Sequence, residues 1–198
     1  YKLIVVLAGT HNNLRSQTQL RLDEGFLGFD TQFGRAFREN NRFIGVGKLD
    51  PNSVAHSITS SLSDFTAGAA NANGINFSTN EPIIVVAKKN AGILNRLLQW
   101  LSAHTIETNG VRTIRNKSLL LIDDEADNAS INTLPDGDRS TRINGLIRDI
   151  LRLFDKSAYV GYTATPFANI FIPIDDDQLF PRDFIINIPP PSNYIGPD

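Results

Sequence analysis

The feature that most constrains this chain is a set of short apolar runs that do not alternate. "KLIVVLA" at residues 2–8, "IIVVA" at 83–87 and "SLLLID" at 118–123 hold almost no polar residue inside them. A strand wetted on one face alternates; a strand covered on both faces does not, and such strands belong to parallel sheets flanked by helices. Helical spacing fills the intervals. "AGILNRLLQWLSAHTIE" places Ile93, Leu97, Leu98 and Leu101 on one face, and "TRINGLIRDILRLF" does so with Ile143, Ile147, Ile150, Leu151 and Phe154. "LRSQTQLRLDEGFLG" predicts a helix carrying Leu14, Leu20 and Leu22, capped by Asn12 or Asn13. "SAYVGYTATP" reads as a fourth strand and "DFIINI" as a fifth. The expected fold is α/β, a three-layer sandwich with a mostly parallel sheet built from βαβ units.

Residues 30–80 follow this rhythm poorly and read as an insertion. "FIGVG" suggests a short strand, "SVAHSITSSLSDF" a helix, and "TAGAANANGINFSTN" a loop. The chain enters a buried strand at once without an initiator Met, and it ends in the Pro-rich "IPPPSNYIGPD". Both features suggest a piece cut from a longer protein: a partial domain over 1–172, then an extension and linker over 173–198.

A net charge of −2 over 198 residues argues against a strongly basic nucleic-acid clamp, though not against a local groove. Zero cysteines exclude disulfides and thiolate metal sites, and they fit a reducing, cytoplasmic setting. No apolar run is long enough for a membrane span, and no signal-peptide pattern opens the chain. His11, His56 and His104 lack ligand spacing, so no zinc is expected. Trp100 reads as core.

In parallel sheets, ligands bind beyond the carboxyl ends of the strands. "GTHNN", "KKN", "DDEAD" and "TATP" all fall there. The run "LLLIDDEAD" drives four acids into a strand tip, which is costly without a compensating cation. Mg²⁺ is one solution, because it bridges carboxylate and phosphate. An apolar strand ending in Asp-Glu is the Walker B arrangement: Asp124 would hold the metal and Glu125 would orient or polarise the attacking water. An acidic helix N-terminus is the plainer alternative. Asp123 is either a strand-end acid or a second metal neighbour.

"TAT" follows "DEAD" by about 35 residues, after one helix and one strand. Together, "LLIDDEAD…YTATP" resembles motifs two and three of superfamily-two helicases and translocases, in their first RecA-like domain. The resemblance implies ATP and Mg²⁺ as cofactors, with Asp124 and Glu125 at the nucleotide. It also implies that Asp127 bonds toward the hydroxyls of Thr163 and Thr165, coupling hydrolysis to movement on DNA. "VVLAGTHNNLRSQT" then occupies the place of motif Ia, with Thr10, Asn12, Asn13, Arg15 and Gln17 as phosphate-contact candidates. Lys88, Lys89 and Asn90 occupy that of motif Ib.

Taken as a whole, "LAGTHNNLRSQTQLRLDEGFLG", "VVAKKNAGILNRLLQWL", "LLIDDEADNASINT", "YVGYTATPFANIFI" and "LFPRDFIINIPPPSNYIG" resemble the Z-one domain. That family is described as a proposed endonuclease domain attached to a superfamily-two helicase core in bacterial restriction or phage-defence proteins. The resemblance implies DNA, a second RecA-like domain of the same parent chain, and nuclease or other defence subunits as partners.

No G-x-x-x-x-G-K-[ST] is present. "GVGK" at 45–48 is followed by Leu49 and comes after motif Ia, which is the wrong order. The expected fold is thus a RecA-like P-loop NTPase domain lacking its Walker A element, and the chain alone is expected to turn over little ATP. A nuclease centre of the acid-x-Lys kind is missing too, since Val86 and Ala87 stand two residues before Lys88 and Lys89. Three readings stay open: part of a DNA-acting motor, a non-catalytic DNA- or protein-binding module, or a nuclease using the DDEAD acids.

Overall fold

A computed structural model of the chain describes residues 1–32, 42–50, 55–72, 74–75, 77–78, 80–127, 138–164, 179, 182–189 and 192. The elements are β1 (Leu3–Ala8), α1 (Asn12–Leu22), a π-helical turn (Asp23–Leu27), α2 (Val46–Leu49), β2 (His56–Ser57), α3 (Ala67–Ala72), β3 (Ile83–Ala87), α4 (Ala91–Ser102), β4 (Ile106–Thr108), β5 (Val111–Asp124), α5 (Asp138–Arg152) and β6 (Phe154–Gly161). Strands β2, β3, β1, β5 and β6 lie side by side in that order, all parallel, and β4 pairs antiparallel with the start of β5. The fold is α/β with a mixed, mostly parallel six-stranded sheet, compatible with a three-layer sandwich.

The non-alternating runs have their cause in this order. β1 is central, with Leu3 opposite both Ile83 of β3 and Leu119 of β5. Its odd residues Leu3, Val5 and Leu7 join a core with Ile83, Val85, Leu94, Leu97, Leu101, Ile143, Ile147 and Ile150, beneath α4 and α5. Its even residues Val6 and Ala8 join Ile84, Val86, Leu27 and Phe29 on the opposite face, with α1's Leu22 at the margin. Truncating a fully buried residue such as Leu97 to Ala costs about 2–5 kcal/mol.

The stretch expected to be an insertion is partly built into this core. β2 extends the sheet beyond β3, and Phe65, Ala70 and Ile75 pack into the α4–α5 core. Phe65 and Phe77 each lie 5.8 Å from Trp100, which is core as expected. The helix expected over "SVAHSITSSLSDF" is replaced by β2 and turns from residue 55 onward, because Ser57 and Thr59 are drawn into bonds with the sheet. The expected loop over 66–80 contains the short α3. "FIGVG" contributes only a bridge, Phe43 to Phe29, before α2 begins.

Four further boundaries differ. α4 ends at Ser102, and residues 106–108 become β4, turning through Asn109 and Gly110 into β5. Both turn residues have positive φ, 53° and 77°, as a two-residue primed hairpin requires. β5 therefore starts at Val111 rather than Ser118, and its first half is mostly exposed. Phe154 opens β6 instead of closing α5. "DFIINI" pairs with no strand among the described residues, and Phe184, Ile185, Ile186 and Ile188 are exposed.

Of the three leucines placed on α1, Leu22 alone packs against the core. Leu14 and Leu20 are exposed, while Arg15 and Gln19 are buried. The surface beneath the helix is polar: Thr59 Oγ1 donates to Gln19 Oε1 at 2.7 Å, and Gln19 Nε2 donates to Asp23 Oδ1 at 2.9 Å. A buried amide among such partners is satisfied, whereas a leucine would strand them. The N-cap position is His11, not Asn12 or Asn13, and it makes no side-chain cap bond. Among the described residues, no helix is long and apolar enough to cross a membrane.

Candidate active site

Because β3, β1, β5 and β6 are adjacent and parallel, the four polar segments do share one edge of the sheet. Backbone bonds tie the tips together. Lys89 N donates to Gly9 O at 2.7 Å, Tyr162 N to Asp123 O at 2.8 Å, and Ala126 N to Tyr162 O at 2.8 Å.

At the centre stands Lys89, with β1 between its strand and that of the acids. Its ammonium lies 2.7 Å from Asp123 Oδ1, and both side chains are fully buried. The same ammonium donates to Asp124 O at 2.8 Å and Glu125 O at 2.7 Å. Tyr159 donates its hydroxyl to Asp123 Oδ2 at 2.9 Å. Burial, followed by the charge of Asp123 and the hydrogen bond to it, pushes the Tyr159 phenol well above its ordinary pKa and keeps it a donor. A buried ion pair is tolerated when further hydrogen bonds, such as those of Tyr159 and the two carbonyls, satisfy its members.

This arrangement revises three expectations. Lys89 is not a phosphate contact at the rim, because it points inward. Asp123 is not a spare metal ligand, because both oxygens are engaged. The cation that compensates this strand-end acid is Lys89 itself.

Asp124 and Glu125 face outward beyond this pair. Asp124 is exposed, and its Oδ1 accepts from Glu125 N at 3.1 Å. Glu125 is half-buried and holds a left-handed backbone, φ 52°, an uncommon conformation for a residue with a side chain. Its carboxylate lies over Gly9, where an added Cβ would come within 3.2 Å of Glu125 Oε2 and 3.0 Å of Leu14 Cδ1. Gly9 also has φ +47°, so both space and backbone demand glycine there. Among the described residues no group of three or more His, Cys, Asp or Glu could hold a metal. Asp124 and Glu125 supply carboxylate oxygens suited to Mg²⁺, a cation that usually fills its shell with water and phosphate.

Asp127 accepts a 2.7 Å bond from Thr163 Oγ1, linking the acid turn to the segment just past β6. Thr165 lies outside the described residues.

The nucleic-acid candidates divide. Asn12, Asn13 and Gln17 are exposed, Thr10 is half-buried, and the partly exposed Lys88 reaches Asn12 Oδ1 at 2.8 Å. That bond joins the tip of β3 to the start of α1. Arg15 does not: its guanidinium is buried and donates to the carbonyls of Ser60 and Ser61 at 2.8 and 2.9 Å. Asn90 caps α4, accepting from Gly92 N at 2.9 Å and Ile93 N at 3.4 Å.

Sequence reasoning passes over two residues of this site. Gly9 carries a signal, as a glycine at a strand end where backbone and side chain approach closely. Tyr159 carries none, since a tyrosine in a strand is ordinary. No protein-family profile, curated protein or solved structure matches this chain.

Proposed function

We propose that the chain carries the acid half of an ATP-hydrolysing site in a DNA-acting motor of the superfamily-two, RecA-like kind, within a Z-one-type defence protein. The observation that carries the reading is the Thr163–Asp127 bond of 2.7 Å, placed beside an outward-facing Asp124 and Glu125. It joins the acid turn to the tip of the next strand, as a coupling between hydrolysis and movement requires. Mg²⁺-ATP, when bound, supplies an electrophilic phosphoryl group whose developing charge the metal neutralises. Asp124 holds the metal through its carboxylate. Glu125, aimed across Gly9, orients the attacking water and takes up its proton. The rim of Thr10, Asn12, Asn13, Gln17 and Lys88 contacts the DNA backbone through its donors.

The test is Glu125→Gln in a protein that joins this chain to a phosphate-binding loop and a second RecA-like domain. ATP binding is retained and DNA-stimulated hydrolysis falls by about 100-fold or more, the scale on which a positioned acid–base group contributes. Hydrolysis at the unmodified rate overturns the reading. DNA binding without any nucleotide binding would instead assign a recognition module.

A further inference from the structure

We propose that Lys89 is the positioning residue of the acid turn, holding Glu125 in its left-handed conformation from a strand that is not β5's neighbour. The inference rests on the hydrolytic reading for its functional meaning, but its geometry stands independently.

β3 and β5 are separated by β1. Lys89 spans that gap on the α4–α5 side, the face to which Val85 and Ala87 of β3 and Leu119 and Leu121 of β5 point. Its backbone N–H is anchored on Gly9 O at 2.7 Å, so the residue is fixed to the β1 tip before its side chain departs. The ammonium then takes the consecutive carbonyls of Asp124 and Glu125 at 2.8 and 2.7 Å. Two successive carbonyls converging on one cation require the chain to curl, and Glu125 meets that demand at φ 52°. For a residue with a Cβ the left-handed region costs about 1–2 kcal/mol, so something must impose it. Asp123 acts differently, neutralising Lys89 while Tyr159 holds its other oxygen. The curl places the Glu125 carboxylate over Gly9. Lys89 touches no reacting atom in this arrangement. It acts through the backbone of its neighbours.

The test uses the 198-residue chain. An intense intraresidue amide–Hα Overhauser effect reports positive φ at Glu125 in the unmodified protein. Lys89→Met combined with Asp123→Asn removes both charges together and abolishes that signal, while Asp123→Asn alone, which leaves the ammonium on the two carbonyls, retains it. A folded double variant that keeps the signal overturns the inference. So does its loss in Asp123→Asn alone, which would assign the turn to the ion pair. Should the double variant not fold, the unmodified chain decides. Scalar couplings across the hydrogen bonds from Lys89 Nζ to the carbonyl carbons of Asp124 and Glu125 support the inference, and their absence with the ammonium resonance visible refutes it. None of these outcomes depends on hydrolysis, so a failure of Glu125→Gln to abolish turnover would sink the functional reading alone.

Discussion

Thr163 and Asp127 are 36 residues apart in sequence and 2.7 Å apart in space, hydroxyl to carboxylate. The bond closes the acid turn against the end of β6. Thr163→Val removes the donor while keeping the shape, and for a partly buried bond the stability loss is about 1 kcal/mol. In a hydrolysis-competent protein the same change lowers DNA stimulation more than basal turnover. Steady-state ATPase assays with and without DNA check this; equal loss of both rates contradicts a coupling role.

Lys89→Met alone strands Asp123 without its counter-charge. Removing one partner of a buried pair costs about 3–5 kcal/mol. The Lys89→Met, Asp123→Asn double variant recovers more than half of that loss, as measured by denaturant midpoints with unchanged m-values. A double variant as unstable as the single one would show that the carbonyl bonds, not the charge, dominate the energetics.

Arg15→Ala separates fold from recognition. Two buried charge-assisted bonds to Ser60 and Ser61 are lost, and stability falls by about 2–4 kcal/mol. DNA affinity per folded molecule stays the same. Lys88→Ala does the opposite: stability is unchanged, DNA affinity falls, and the slope of log K against log salt shrinks by about 1. Filter binding at several salt concentrations distinguishes the two.

His104 gives the fold a defined acid sensitivity. Its ring stacks edge-on against Trp100 and Phe77, at centroid distances of 4.8 and 5.3 Å. Burial lowers its pKa below the ordinary 6.5. The unfolded chain therefore binds a proton that the folded chain resists, and stability rises with pH through this window. The contribution is present above pH 6.5 and is lost as pH falls from 6.5 toward the lower folded value. Replacing His104 with Gln flattens that limb of the stability–pH curve.

Legibility in the sequence follows a single physical distinction. Burial by apolar contact announces itself: β1, β3 and the last third of β5 are readable because both faces are covered. Burial through polar partners does not. α1 buries Arg15 and Gln19 and leaves Leu14 and Leu20 exposed, and the two polar residues look solvated until Ser60, Ser61 and Thr59 are seen beneath them. Lys89 misleads for the same reason, since a lysine beside a lysine looks like a wet edge. The Asn109–Gly110 turn is a plain local signal, overshadowed by the apolar helix before it. The shared edge of the four strand tips needs only the βαβ rule, and the pairing of Asp127 with Thr163 is a contact that the motif resemblance implied.

The β4–β5 hairpin also bears on how the chain assembles. Parallel neighbours such as β1 and β5 meet only after more than a hundred residues have been looped out, and such closures are slow. The Asn109–Gly110 hairpin closes locally, on a scale of about microseconds. It is expected to form ahead of the long-range pairing of β5, from which an irregularity between Ile114 and Ser118 separates it. Mutations at Val111 and Thr113 are expected to alter the folding rate, whereas those at Lys89 and Thr163 alter chiefly the unfolding rate. The acids would then be gathered last, when the long-range partners of β5 arrive.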